Sequence, residues 1–298
     1  MLFRSLWGYA TSGLLSYLLQ RSHYAEIQPW KFGYGFSFSL LVVLAASSKN
    51  FKNNRNIGIL MILLVSLINL QFGLRSLALI GFVSTLLLFL NHKSIFFKKI
   101  KFPRIRVAFS ILFGVFLANI SYLAFLNLGL LNQEQQNKFA IQSSGRLGIL
   151  LGGRNEIVFS IRGIADSPLV GHGSRPAPSM ELLNQGVDTL RNLGYSTSNT
   201  LRSALELNLI PTHSYLFQFW ISSGIGAAIV WIKIFWNCIN KLAKLIDIPL
   251  PMIIPTVYLT LNLMWNIFFS PYGSEARFST AVAVVLLTFE YGKLNVNR

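Results

Sequence analysis

Charged residues are scarce in this chain, and acidic residues are the scarcest. Asp, Glu, Lys and Arg make up only 12% of the sequence, with 26 basic against 10 acidic residues, while 53% is hydrophobic. A typical soluble domain carries about 25% charged residues. The composition therefore argues against a soluble protein. The net charge of +16 suggests nucleic acid, but the basic residues cluster in short segments between apolar runs. That placement is typical of membrane proteins, so no nucleic-acid partner is expected.

Several kinds of site are missing as well. Cys238 is the single cysteine, so no disulfide can form within the chain, and one Cys with four scattered His does not make a zinc set. The sequence has no Asp-x-Asp motif, no glycine-rich phosphate loop followed by Lys and no Gly-x-Ser-x-Gly motif. Between residues 131 and 213 the six carboxylates lie far apart. These absences argue against a metal-dependent nucleotide-sugar transferase and a two-carboxylate glycosidase, and no metal or cofactor is expected.

Long apolar runs dominate the rest of the sequence. They predict an all-α fold, a polytopic bundle of about eight transmembrane helices with one large, partly helical external loop. The domains would be transmembrane helices in 1–131, the external loop in 132–212 and further transmembrane helices in 213–298. The first run is short and contains Gly and Ser, which fits either a marginal span or an interfacial helix. No small-residue cleavage site follows a short apolar core near Met1, so a signal peptide is not expected there. The predicted spans are Leu6–Leu19, Phe32–Ser47, Ile57–Gln71, Leu74–Leu90, Val107–Leu131, Tyr215–Trp236, Pro251–Phe269 and Phe278–Tyr291.

Basic residues orient these spans. If the basic loop Asn91–Arg106 is cytoplasmic, alternation gives that side fourteen Lys and Arg, whereas the short segments opposite hold four. The positive-inside rule therefore places the large loop outside and both termini in the cytoplasm.

Periodicity within the loop predicts two helices. Arg154–Ile164 carries an apolar stripe and is expected to be an amphipathic helix on the membrane surface or on other helices, ending before Pro168. Ser179–Leu193 is a second expected helix, exposed and polar, and Gly194–Thr200 is expected to be a connector.

Three external arginines are candidate anion-binding residues, because guanidinium groups bind phosphate in a bidentate way and stay charged. Arg75 opens a span, where it either faces a cavity or extends to the lipid head groups. Arg154 and Arg162 lie eight residues apart, so on one helix they point in similar directions. The alternative is that these two pair with Glu156 and Asp166.

Two histidines are candidates for proton transfer or binding. His213 begins the return to the membrane, and it is either an interfacial hydrogen-bonding residue or a general base. His172 lies between Gly171 and Gly173, where the backbone allows close approach of a ligand, although a lone Gly-His-Gly is a weak signal.

Three motifs in this order resemble the O-antigen ligase/polymerase family of bacterial membrane glycosyltransferases. The first is Gly73-Leu74-Arg75-Ser76 at the start of a span. The second is Gly153-Arg154-Asn155 with Ile164-Ala165-Asp166-Ser167-Pro168-Leu169-Val170-Gly171-His172-Gly173. The third is His213-Ser214-Tyr215-Leu216 followed by Gly224-Ile225-Gly226. The resemblance covers roughly residues 57–291. The chain departs from the family in having fewer N-terminal spans and in having Ser214 where the family has Asn.

The resemblance implies a glycan donor carried on an isoprenoid diphosphate, a glycan or lipid acceptor hydroxyl, and a location in the bacterial inner membrane among its lipids. It implies that Arg75 and Arg154 bind the diphosphate and that His213 is the base, and Arg162 is a further diphosphate candidate from its spacing to Arg154. It also suggests Asp166, Gly171, His172 and Gly173 as loop contacts. The ten residues between Arg162 and Gly173 favour a polymerase of surface polysaccharide, such as O-antigen or exopolysaccharide. The alternatives are a ligase of the same family, a non-enzymatic polysaccharide transporter or assembly protein, and an inactive fragment.

Overall fold

The computed structural model describes residues 6–12, 28–48, 55–93, 103–244 and 250–288, and every regular element in these ranges is helical. The predicted all-α class is therefore confirmed for the described part of the chain. Residues 6–12 are helical, and Trp30–Tyr34 is a short π-helical turn. The α-helices are α1 (Gly35–Ala46), α2 (Arg55–Gln71), α3 (Arg75–Lys93), α4 (Pro103–Asn127), α5 (Gln133–Ser143), α6 (Gly148–Gly152), α7 (Glu156–Asp166), α8 (Met180–Asn192), α9 (Ser198–Leu207), α10 (Tyr215–Ala243), α11 (Leu250–Phe269) and α12 (Ser274–Thr288).

Three of these helices are long and apolar enough to cross a membrane. They are α4, α10 and the part of α11 from Met252 to Phe269. Helices α1, α2, α3 and α12 are apolar but shorter. The protein is thus a helical membrane protein, whereas the predicted count of about eight spans is not confirmed.

Some predicted features lie wholly or partly outside the described residues. They are the second part of the first apolar run, residues 13–19, the basic residues Lys49 and Lys52, the centre of the basic loop, residues 94–102, and the end of the last span, residues 289–291.

The chain divides into two compact units. The first unit comprises Met1–Leu131, Asn237–Asn262 and Val282–Arg298, and the second comprises Asn132–Trp236 and Leu263–Ala281.

In the first unit, helices that follow one another in sequence pack side by side, α1 on α2, α2 on α3 and α3 on α4. Small residues allow the close approach of α2 and α3. Gly81 faces Ser66, and a Cβ at Gly81 would collide with the Ser66 hydroxyl. Close packing at small residues stabilises helix pairs in membranes, where lipid removes the hydrophobic advantage of association.

A buried hydrogen-bonded chain also links elements of the first unit. Asn69 is fully buried; its Oδ1 accepts from Trp30 Nε1 at 2.9 Å, and its Nδ2 donates to Ser39 Oγ at 2.9 Å. The Ser39 hydroxyl donates to the Gly35 carbonyl at 2.7 Å. The buried side-chain amide of Asn69 thereby has a partner for its oxygen and one for its nitrogen, which fixes the relative position of α1 and α2.

The outer face of α4 is apolar and exposed. Leu112 is 71% exposed and Phe116 56%, while Phe109 and Phe113 stack with ring centroids 5.9 Å apart. Such a face on a helix of spanning length suits contact with lipid chains.

The second unit has its own hydrophobic core, to which α6, α7, α8, α9 and α10 and the loops between them contribute. At its centre is Phe159, fully buried against Gly186 of α8. The buried members are Leu151, Phe159, Leu182, Leu183, Val187, Leu190, Tyr195, Ala204, Ile210 and Ile221. The predicted helix over 179–193 is confirmed as α8, with Ser179 as its N-cap, but the expectation that it is exposed and polar was wrong because one whole face is buried. The expected connector Gly194–Thr200 already contains the start of α9.

Candidate functional site

Arg154 lies just before α7 rather than within it. The predicted helix Arg154–Ile164 begins at Glu156, so the argument that Arg154 and Arg162 share a helix face was wrong. Arg154 is half-buried, its amide donates to the Leu151 carbonyl at 2.9 Å, and its guanidinium donates to the Gly153 carbonyl at 2.9 Å. Arg154 thus precedes the first residue of α7 by two positions, and the positive end of a helix dipole is a place where anions bind favourably.

Arg162 lies within α7 and contacts α8. Its guanidinium donates to Gln185 Oε1 at 2.6 Å and to Thr189 Oγ1 at 2.8 Å. These partners are neutral and lie on α8. The acidic partners that the sequence suggested for Arg162, as the alternative to phosphate, were Glu156 and Asp166. Two of the five guanidinium N–H donors are therefore used in joining α7 to α8, and three remain for other partners.

A cleft opens beside Arg154. It has a volume of about 510 Å³, and the residues on both sides of Arg154, Gly153 and Asn155, lie in its wall. That volume falls in the range of about 300–1,000 Å³ common for small-molecule sites. Amide, carboxylate, ammonium and hydroxyl groups line it. The lining residues are Glu134, Asn137, Lys138, Ile141, Gln142, Gly152, Gly153, Asn155, Glu156, Ser196 and Thr200.

His213 is positioned by its chain neighbours on either side. The carbonyl of Pro211 accepts from Ser160 Oγ of α7 at 2.9 Å. Ser214 is 2% exposed; its hydroxyl donates to the Ile267 carbonyl at 2.8 Å and accepts from the Phe217 amide at 3.2 Å, which makes it the N-cap of α10. His213 is half-buried between these anchors, at the beginning of α10.

The turn after α7, residues 167–173, packs against α10 at a point where that helix is interrupted. At Gly224 the backbone has φ 71° and ψ −167°, so the helix is interrupted there. The amides of His172 and Gly173 donate to the carbonyls of Ile221 and Ser222 at 2.7 and 3.0 Å, and the Ile225 amide donates to the Leu169 carbonyl at 3.3 Å. A Cβ at Gly224 would collide with the Leu169 carbonyl, so glycine is required.

Asp166 lies at the end of α7, and His172 lies in the turn that follows this helix. The Nε2 of His172 hydrogen-bonds the Gly163 carbonyl of α7 at 2.6 Å. Asp166 is exposed and is the last residue of α7. The Gly171 amide donates to the Ser167 carbonyl, and the Ser167 hydroxyl donates to the Gly171 carbonyl.

Arg75 belongs to the first unit and is the first residue of α3, half-buried. Its guanidinium carbon lies 5.3 Å from the centroid of the Tyr122 ring of α4, a cation–π distance. A cation at a helix N-terminus adds to the positive end of the dipole instead of offsetting it. Arg75 therefore adds positive charge at the start of α3.

Helix α7 is the common partner of the candidates in the second unit. Arg154 precedes it, Arg162 and Asp166 lie on it, His172 bonds to it, and the segment before His213 bonds to it. The cleft and the packing of the turn 167–173 on α10 were not predicted from the sequence. The only signal for the latter was the Ser222-Ser223-Gly224 interruption of an apolar run, which does not indicate a partner.

Known proteins add no assignment. Neither a protein-family model, nor a curated protein, nor a solved structure matches this chain.

Proposed function

We propose that this protein is a membrane glycosyltransferase that moves a glycan from an isoprenoid diphosphate carrier to an acceptor hydroxyl, without a metal ion, at the outer face of the bacterial inner membrane. The expected product is a surface polysaccharide. The observation that carries the proposal is the arrangement around α7. Arg154 lies just before this helix, and the carbonyl of Pro211, two residues before His213, accepts from Ser160 of the same helix.

The arginines are proposed to stabilise the diphosphate as it leaves. A diphosphate leaves with growing negative charge, and preorganised cations stabilise that charge in the transition state. Arg154 lies just before the N-terminal end of α7, so a guanidinium is added there to the positive end of a helix dipole. Arg162 serves first to hold α8 and is a secondary contact.

His213 is proposed as the general base. The acceptor oxygen attacks the anomeric carbon of the donor while its proton passes to the imidazole. The bond between that carbon and the diphosphate oxygen breaks, and its electron pair leaves with the isoprenoid diphosphate. Such proton transfer contributes about 10²–10⁴-fold to rate.

The cleft beside Arg154 supports a sugar-binding role. Asn137, Gln142 and Asn155 present amides there, together with the carboxylates of Glu134 and Glu156. Amides and carboxylates together offer the donors and acceptors that sugar hydroxyls require. We therefore assign the sugar next to the diphosphate to this cleft.

The proposal includes the orientation of the chain in the membrane. With the loop 132–212 outside, the short apolar helices would complete a bundle of about eight spans whose two termini face the cytoplasm, as the distribution of basic residues favours. A transporter would need polar side chains along its spans, and the fully buried Asn69 is engaged with Trp30 and Ser39. This favours the enzyme.

Deletion of the gene in its source organism, followed by glycan gels, tests the proposal. A polymerase predicts loss of the long-chain ladder with single units retained, whereas a ligase predicts long glycan that is no longer attached to its acceptor. Complementation with Arg154→Ala or His213→Ala should fail, with activity reduced at least 100-fold, and Arg191→Ala, an exposed arginine on α8, should restore the wild-type pattern. Normal glycan from both site variants would refute the proposal.

A further inference from the structure

The structure leaves two large apolar side chains exposed at the turn after α7. Leu169 is 71% exposed and Val170 78%. Next to them, the carbonyls of Pro168 and Leu169 accept from Trp220 Nε1 at 2.9 Å and from the Ile225 amide at 3.3 Å. The turn, residues 167–173, is therefore bound to the interior of α10, a helix of spanning length.

Lys233 fixes how deep that part of α10 lies. Its side chain is exposed, and a lysine facing lipid keeps its ammonium near a membrane boundary. Gly224 lies nine residues away along the helix, which corresponds to about 13–14 Å. If the lysine stem extends by roughly 6 Å, Gly224 is about 20 Å from that boundary and about 10 Å inside the opposite one, since the hydrocarbon core is about 30 Å thick.

Backbone groups at that depth need partners within the protein. The break at Gly224 removes helical partners from the carbonyls of Ile221 and Ser222 and from the Ile225 amide, and the turn supplies partners to all three. Non-helical backbone is tolerated inside a membrane only when its polar groups are satisfied in this way. At its tip the outward side chains are the apolar Leu169 and Val170, whereas His172, which is also exposed, hydrogen-bonds the Gly163 carbonyl through Nε2.

The reach of the chain is consistent with this depth. Asp166 is exposed and lies three residues before Leu169, and an extended segment of that length covers at most roughly 10 Å. Asp166 can therefore remain at the boundary while Leu169 lies below it.

We infer that residues 167–173 are a re-entrant membrane segment and not part of a water-exposed loop, with Leu169 and Val170 inserted among the lipid acyl chains. This inference rests on α10 as a membrane span and is independent of the proposed reaction. It differs from the sequence-based expectation that the whole of 132–212 lies outside the membrane.

Fluorescence quenching in lipid vesicles tests it. In the full chain carrying Cys238→Ser, single cysteines replace Leu169 or Val170 and are labelled with an environment-sensitive dye. Ile229→Cys, exposed on α10 five residues beyond the break, is the membrane control, and Asp188→Cys, exposed on α8, is the water control. The proteins are reconstituted in phosphatidylcholine with or without lipids brominated near the middle of the acyl chain.

Brominated lipid should quench the labels at 169 and 170 at least about half as strongly as the label at 229, and iodide in the buffer should quench them at least about threefold less than the label at 188. Iodide quenching equal to that at 188 would overturn the inference. So would the absence of quenching by brominated lipid, which would mean that water or protein covers these residues.

Discussion

Ser214 is the residue at which the third sequence motif departs from the pattern of the family proposed from the sequence, and the structure gives this side chain a defined task. Its hydroxyl caps α10 and bonds to the Ile267 carbonyl, next to the proposed base His213. Serine performs as well as asparagine at an N-cap position. The departure therefore need not disturb the position of His213.

Substitution of Ser214 by Ala should be destabilising. It removes the cap and leaves the buried Ile267 carbonyl without this donor, and we expect a loss of about 1–3 kcal/mol. The thermal midpoint of the detergent-solubilised protein measures the loss. Ser203→Ala, at an exposed position on α9, is the matched control, and equal midpoints for the two variants would contradict the assigned role.

Sequence alone identified the arginine and histidine candidates but not their surroundings. Arg162 was weighed as a phosphate ligand or as a partner of acidic neighbours, and it proved to join α7 to Gln185 and Thr189 of α8. These partners lie more than twenty residues away in sequence, and helical periodicity carries no information about which helices meet.

At the scale of elements, Gly224 determines how the turn 167–173 is held. Its backbone conformation is open almost only to glycine, and a Cβ there would strike the Leu169 carbonyl. Gly226, two residues on, has open space around its Cβ position.

Gly224→Ala should therefore release the turn, at a cost of about 1–3 kcal/mol. Hydrogen exchange of the His172 and Gly173 amides, which bond to α10, should accelerate by about tenfold or more. Gly226→Ala should leave this exchange unchanged. If both variants protect these amides as the wild type does, the pairing of turn and helix is refuted.

The core of the second unit allows a similar comparison within α7. Phe159 is fully buried against Gly186, whereas Ile161 is 54% exposed. Phe159→Ala should destabilise the unit by about 3–5 kcal/mol, and Ile161→Ala by about 0.5 kcal/mol or less. Limited proteolysis between residues 132 and 212 during heating measures both. Equal protease resistance would show that this core does not stabilise the unit.

Apolar runs and helix signals predicted elements more successfully than their packing. The start of α10 at Tyr215 and the end of α11 at Phe269 match the expected spans, because the hydropathy changes sharply there. Helix α8 was predicted but not its buried face, since Leu182, Leu183, Val187 and Leu190 are diluted by polar neighbours. Helices α5 and α9 were not predicted, because neither segment carries a long apolar stripe.

For the whole molecule, composition correctly predicted a helical membrane protein, and three helices have the length and apolarity to cross a bilayer. The count of eight spans remains a prediction, because α1, α2, α3 and α12 are apolar but short. The length of a folded helix depends on where turns and caps end it. Hydropathy averaged along the sequence does not show those ends.

The central claim is that the protein transfers glycan from an isoprenoid diphosphate by means of arginine and histidine. Purified protein incubated with an isoprenoid-diphosphate-linked oligosaccharide and a metal chelator measures it directly, with the release of isoprenoid diphosphate as the readout. We predict release with wild type and with Arg191→Ala, and release reduced at least 100-fold with Arg154→Ala and with His213→Ala. Equal release from all four proteins, or release that requires a divalent metal, would contradict the account.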